Sequence, residues 1–103
     1  MAKIAHIVLL GWTAAATDAQ QQTCADALAA LVGRIPGLVS YSGGPQMSPE
    51  PAGSGIDFGF TMIFADAAAR DAYLPHPEHQ RVIHEAIAPI LRTVQVLDYA
   101  LAD

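Results

Sequence analysis

The amino-acid sequence predicts an α+β fold with the element order β-α-β-β-α-β, and three observations carry that expectation. Four short runs place apolar residues at alternate positions, as strands do. Two longer segments repeat apolar residues three and four apart, the spacing of a helix with one buried side. Clusters of Pro and Gly, at Pro36-Gly37, from Pro45 to Gly55 and at Pro75/Pro77, punctuate the runs. The 103 residues suffice for one domain, spanning 1–103, and fall short of two.

The first strand is expected over residues 3–11, with Ile4, His6, Val8 and Leu10 on one face and Ala5, Ile7 and Leu9 on the other. Lys3, this apolar run and Ala14-Ala15-Ala16 have the outline of a short signal peptide. However, the ionisable His6 lies inside the run and cleavage would remove a strand the fold needs, so the expectation is a cytoplasmic protein. The first helix opens at Thr17-Asp18, where a cap oxygen precedes Gln20 and Gln21 in the first turn. Cys24, Ala27, Leu28, Leu31 and Ile35 form its inward stripe, and Pro36-Gly37 ends it. A second strand, 38–44, carries Gly43-Gly44, which suggest a bulge or bend. Residues 45–55 form the one long loop, a plain connection between strands or a lid.

The third strand, 57–64, puts Phe58, Phe60, Met62 and Phe64 on one face, which should meet the helices. Asp66 caps a short helix that runs through Tyr73-Leu74 and stops at Pro75. The next helix starts with His76 as its cap and Pro77 at the first position, where a missing N–H costs nothing. Val82, Ile83, Ala86, Ile87 and Ile90 face inward along it, and His79 precedes Val82 and Ile83 by three and four residues. His79 is therefore expected inside and His84 outside. The last strand is expected over 93–101.

Composition excludes several classes of function. Five Lys and Arg against ten Asp and Glu give a formal charge of -5 without basic runs, which disfavours nucleic acid and anionic membrane surfaces as partners. No apolar stretch approaches the ~18 residues that span a bilayer. The single cysteine, Cys24, can form no intrachain disulfide and reads as a small core residue. His76 and His79 have no third inward ligand in view, so no metal site is expected.

The segments Ala5-His6-Ile7-Val8-Leu9-Leu10, Ile35-Pro36-Gly37, Phe58 to Phe64 with Asp66, Tyr73-Leu74-Pro75-His76-Pro77-Glu78-His79 and Leu97-Asp98-Tyr99 together resemble the stress-responsive α/β-barrel (Dabb) domain family. The resemblance runs over nearly the whole chain, and the Tyr-x-x-His-Pro-x-His block is its most specific part. It implies a ferredoxin-like protomer with a four-stranded antiparallel sheet, assembled into a dimeric α+β barrel. It also implies kinship with polyketide cyclases of the olivetolic acid cyclase type, which close a linear polyketide by an aldol reaction without metal or organic cofactor. On that resemblance His79 and Tyr73 take the catalytic positions, with His6 and His76 nearby as substrate-binding residues. Phe58 stands where those cyclases carry a histidine, which makes the implied site more apolar. Other members look like stress-associated proteins, so a non-enzymatic ligand-binding or structural dimer is the alternative expectation.

An aldol cyclisation needs a base for a carbon acid between two carbonyls and a donor for the oxygen that gains charge. A neutral imidazole in an apolar setting and a phenol fit those tasks. Strands one, three and four are apolar on both faces, yet helices can cover only one face of a single sheet. A homodimer with the two uncovered faces together, burying on the order of 1,200–2,000 Å², satisfies both. Light scattering should then report twice the 10.8 kDa chain mass. A clean monomer at micromolar concentration would contradict it.

Overall fold

The computed structural model describes residues 2–50 and 55–102. The strands are β1 (Ile4–Trp12), β2 (Leu38–Pro45), β3 (Phe58–Phe64) and β4 (Leu91–Ala100), and the helices are α1 (Asp18–Ala29), α2 (Ala67–Tyr73) and α3 (Pro77–Val82). The strands form one antiparallel sheet in the order β2-β3-β1-β4, the ferredoxin-like arrangement. Residues directly opposite one another share a face, so Val8 stands between Phe60 and Val96, and Leu10 between Phe58 and Val94. Helices pack on this face only. Leu28 of α1 and Val82 of α3 are fully buried in one cluster with Val8, Leu10, Phe60, Met62 and Phe64.

The opposite face carries Ile7, Leu9, Ile63, Leu97 and Tyr99 and, among the described residues, has no helix over it. Leu97 is 61% exposed and Tyr99 49%, so part of this apolar surface faces open solvent in the protomer.

Local structure follows the sequence closely at the caps. The Thr17 hydroxyl accepts from the Gln20 backbone N–H while the Gln20 side chain accepts from the Thr17 N–H, a complete capping box. Asp66 caps α2 by accepting from the Ala69 N–H at 2.8 Å.

Three elements differ from expectation. Helix α1 ends at Ala29, after which the chain coils through irregular turns that still bury Leu31 and Ile35. Gly33 with a φ of 91° breaks the regular path there. The helix expected to run from Pro77 to Ile90 is regular only to Val82, continuing as a π turn over Ile83–Ile87 and a 3₁₀ turn over Ala88–Ile90. Pro89 explains the change, since it can donate no hydrogen bond and its ring crowds the carbonyl four residues back. The irregularity in β2 lies between Leu38 and Ser40 rather than at Gly43-Gly44, which stay in register with Phe60 and Gly59. Of the long loop, Arg92 holds the end at Gly55 by donating to its carbonyl. Of the possible lid, 45–55, residues 51–54 lie outside the described residues.

Gly37 turns the chain into β2 with a φ of 83°, and a Cβ there would lie 2.5 Å from the Ala69 Cβ. Both the backbone and the close approach of α2 demand glycine. Gly37→Ala should cost upward of about 1 kcal/mol in urea unfolding. A neutral result would mean that the turn and α2 relax freely.

Candidate functional site

The site is built where the α2–α3 corner meets the helix-covered face of β1. Tyr73 is the last residue of α2, and the short turn after it closes with the His76 N–H donating to the Tyr73 carbonyl at 3.0 Å. His76 then starts α3, its Nδ1 accepting from the Glu78 N–H at 3.1 Å and its carbonyl from the Gln80 N–H. Pro77 follows at the first helical position. The Leu74 carbonyl is left over by the turn. It accepts from the His79 Nδ1–H and from the Gln80 side chain, each at 2.9 Å. The tight turn thereby aims the His79 ring back over Tyr73, with ring centroids 3.9 Å apart and planes inclined by 30°. That is a tilted ring-to-ring contact rather than a hydrogen bond.

His6 approaches from β1. It is 6% exposed and meets Tyr73 edge-on at 5.9 Å, with Phe64 and Phe60 on its other sides. Its Nδ1–H donates to the Asp98 carboxylate on β4 at 2.7 Å, across the pairing that sets His6 opposite Asp98. The second Asp98 oxygen accepts from Arg70 of α2, also at 2.7 Å. Burial alone would raise the Asp98 carboxyl, but hydrogen bonds from Arg70 and His6 outweigh it and hold the group below the ordinary carboxylate range.

His6, Tyr73 and His79 line one cavity of about 300 Å³ between the sheet and the α3 segment. Among the described residues they are the only polar side chains in its lining. Val8 and Leu10 form its floor, Ile83 and Ile87 its roof, and Val94 and Val96 lie along β4. The π turn belongs to this wall, since Ile83 and Ile87 are its first and last residues. Burial pushes the Tyr73 phenol far up, so it remains a donor across the working pH range. Burial also presses His79 below the usual imidazole value, against the hydrogen bond to Leu74, which favours the proton. Neutral His79 carries its proton on Nδ1 for Leu74, so Nε2 is the nitrogen with a bare lone pair.

Two residues expected in the binding site lie elsewhere. Phe58 is buried at the far end of β3 against Trp12, with centroids 5.9 Å apart, and does not line the cavity. Its alternation with Phe60 gives the right face, but two residues of strand carry it too far along the sheet. His76 is committed to capping α3 and is also absent from the lining. His84 is exposed, as the helix phasing predicts. Asp98 and Arg70 join the site although neither stands out alone. The available signal is a carboxylate on the helix-facing side of β4, where Val94, Val96 and Asp98 follow one another at every second residue. Among the described residues no group of three His, Cys, Asp or Glu side chains is placed to hold a metal ion, and no helix is long and apolar enough to cross a membrane.

The model of the stress responsive A/B barrel domain (Dabb) matches residues 4–101. The chain belongs to that family. Its closeness to solved Dabb-like structures is high in shape and modest in sequence. A dimeric ferredoxin-like protein of unknown function from Thermobifida fusca is 29% identical, with a TM-score of 0.80 over 97% of this chain and 92% of the other. A Dabb family protein from Mesorhizobium loti is 24% identical, with a TM-score of 0.80 over the whole of both chains. A hydroxynitrile lyase from Passiflora edulis shares the Dabb chain's fold, with a TM-score of 0.88 over 99% and 95% of the two chains, at 17% identity. No curated protein matches the sequence.

The depressed His79 value fixes a pH response. The unfolded chain protonates this histidine near 6.5 while the folded protein resists, so stability is complete above that pH and is lost as pH falls toward the folded value. Urea midpoints should drop on acidification through this window, and His79→Gln should flatten that part of the curve. An unchanged curve in the variant would show that His79 carries no such penalty.

Proposed function

We propose that this Dabb domain works as a homodimer that binds a small apolar molecule and catalyses a cofactor-free, aldol-type cyclisation of a polyketide-like substrate. The observation that carries the reading is the meeting of Tyr73 and His79 on one cavity of about 300 Å³, at the lower end of the range that holds small ligands. The remainder of the lining is hydrocarbon apart from His6, so the cavity favours neutral molecules with an apolar tail over free carboxylates.

In the proposed step the bare Nε2 of His79 removes a proton from the carbon between two carbonyls. The electron pair passes to the enolate oxygen, which the Tyr73 hydroxyl stabilises by donating to it. The enolate carbon then attacks a second carbonyl of the same chain, and the proton is returned to the new alkoxide. Neutral His79 suits the base role because burial keeps it unprotonated near pH 7.

The dimer draws support from the uncovered, partly exposed apolar face around Leu97 and Tyr99 and from the dimeric description of the Thermobifida fusca neighbour. A cytoplasmic setting is consistent with Cys24, a lone buried thiol that burial raises to about 11 and leaves unreactive. A second reading rests on the Leu74 carbonyl. His79 bonded there and stacked on Tyr73 could simply hold the α2–α3 corner of a non-enzymatic, ligand-binding dimer.

Exchange of the α-protons of ethyl butyrylacetate in D₂O, followed by NMR, separates the two. The enzyme reading predicts exchange above buffer, a loss of about 10²–10⁴ in His79→Ala, and a smaller loss in Tyr73→Phe, with the dimer intact. Wild-type protein that binds the ester without speeding exchange would leave the binding dimer as the function.

A further inference from the structure

We infer that Asp98 and Arg70 are positioning residues that make His6 a second proton-transfer group of the cavity, a role that rests on the acid–base reading above. A histidine in the middle of an apolar strand face, 6% exposed, needs its ring nitrogens accounted for. Nδ1 is accounted for by Asp98 at 2.7 Å. An ionised carboxylate only accepts, so this contact requires the proton on Nδ1 and leaves Nε2 with a bare lone pair. Asp98 is kept ionised, since Arg70 and His6 together hold its carboxyl below the ordinary range.

Nε2 has no hydrogen-bond partner among the described residues, whereas the Tyr41 hydroxyl is the one side-chain polar atom there that is both sealed off and unpartnered. The His6 Nε2 therefore keeps access to open space, and the open space beside His6 is the cavity it lines with Tyr73 and His79.

This arrangement gives the two histidines different characters. His79 donates its Nδ1–H to a neutral carbonyl and is pressed by burial to stay unprotonated. His6 donates to a carboxylate, so the imidazolium formed when Nε2 takes a proton is paired with a negative charge already in place. Arg70 balances that carboxylate in the resting state and fixes its second oxygen, which stops the group from rotating away from His6. In a second proton transfer, after the one at His79, a further C–H bond of the substrate breaks, its proton passes to His6 Nε2, and the electron pair moves to the carbonyl oxygen facing Tyr73. The same proton leaves Nε2 for the product oxygen or carbon, and His6 returns to its starting form. Aldol closure followed by loss of water moves more than one proton, which two separate bases on one cavity can serve.

The test pairs a spectroscopic and a kinetic measurement on the full chain. Nitrogen-15 NMR of the ligand-free protein should find the His6 proton on Nδ1. In the ethyl butyrylacetate exchange assay, Asp98→Asn should lower turnover by about 10–100-fold with KM unchanged, Asp98→Glu should recover part of the loss, and His6→Gln should fall at least as far as Asp98→Asn. Circular dichroism and light scattering of each variant separate these effects from unfolding. If wild-type protein fails to speed exchange at all, the acid–base reading itself falls. If wild type is active but Asp98→Asn matches it, or if the His6 proton sits on Nε2, this inference alone is overturned.

Discussion

The pairing of His6 with Asp98 is the constraint on which the site depends. Burying an imidazole in the centre of an apolar sheet face costs free energy unless its polar atoms are satisfied. The β1–β4 register supplies the partner directly, because antiparallel pairing sets the two residues opposite each other. Arg70 then ties this strand pair to α2 through the second carboxylate oxygen. Helix α2 ends three residues later in Tyr73, so the ion pair also fixes where the phenol meets the sheet. One charged cluster at the edge of the core thus locates a strand register, a helix and an aromatic ring.

The cavity exists because the chain beyond α3 does not close down on the sheet as a regular helix. Pro89 forces the π and 3₁₀ turns, and the side chains over the sheet there are Ile83 and Ile87 rather than an unbroken ridge. Val94 and Val96 on β4 are 49% and 59% exposed, so that side of the cavity is only partly closed by the protomer. Polar groups gather at one end, where α2, α3 and β1 converge. A ligand that reaches all three must be apolar along most of its length and carry its reactive oxygen at the end nearest Tyr73.

Much of this architecture is legible in the sequence because it depends on local rules. Alternation in β1 and β3, the Thr17 and Asp66 caps, and Pro77 at the start of α3 each reflect interactions among near neighbours. The inward turn of His79 follows from helical spacing in the same way. What periodicity misses is set by longer-range or backbone effects. A stripe of Leu31 and Ile35 looks the same whether a helix or a series of turns buries it, and Gly33 decides in favour of turns. Pro89 sits where an extrapolated helix would hide its effect. Phe58 and His76 share a face or a motif with the site residues yet lie too far along the strand or are engaged in capping. Asp98 is recognised only when β4 is paired with β1, and no local pattern gives that register.

The central claim is that a neutral apolar molecule binds between the sheet and the α3 segment, against Tyr73, His79 and His6. Methyl-selective NMR of the protein titrated with ethyl butyrylacetate tests it most directly. The account predicts saturable shifts of the Val8, Leu10, Ile83, Ile87, Val94 and Val96 methyls, with those of Ile7, Leu9 and Ile63 on the opposite face unmoved. Shifts confined to the opposite face, or no saturable shifts on either, would contradict it.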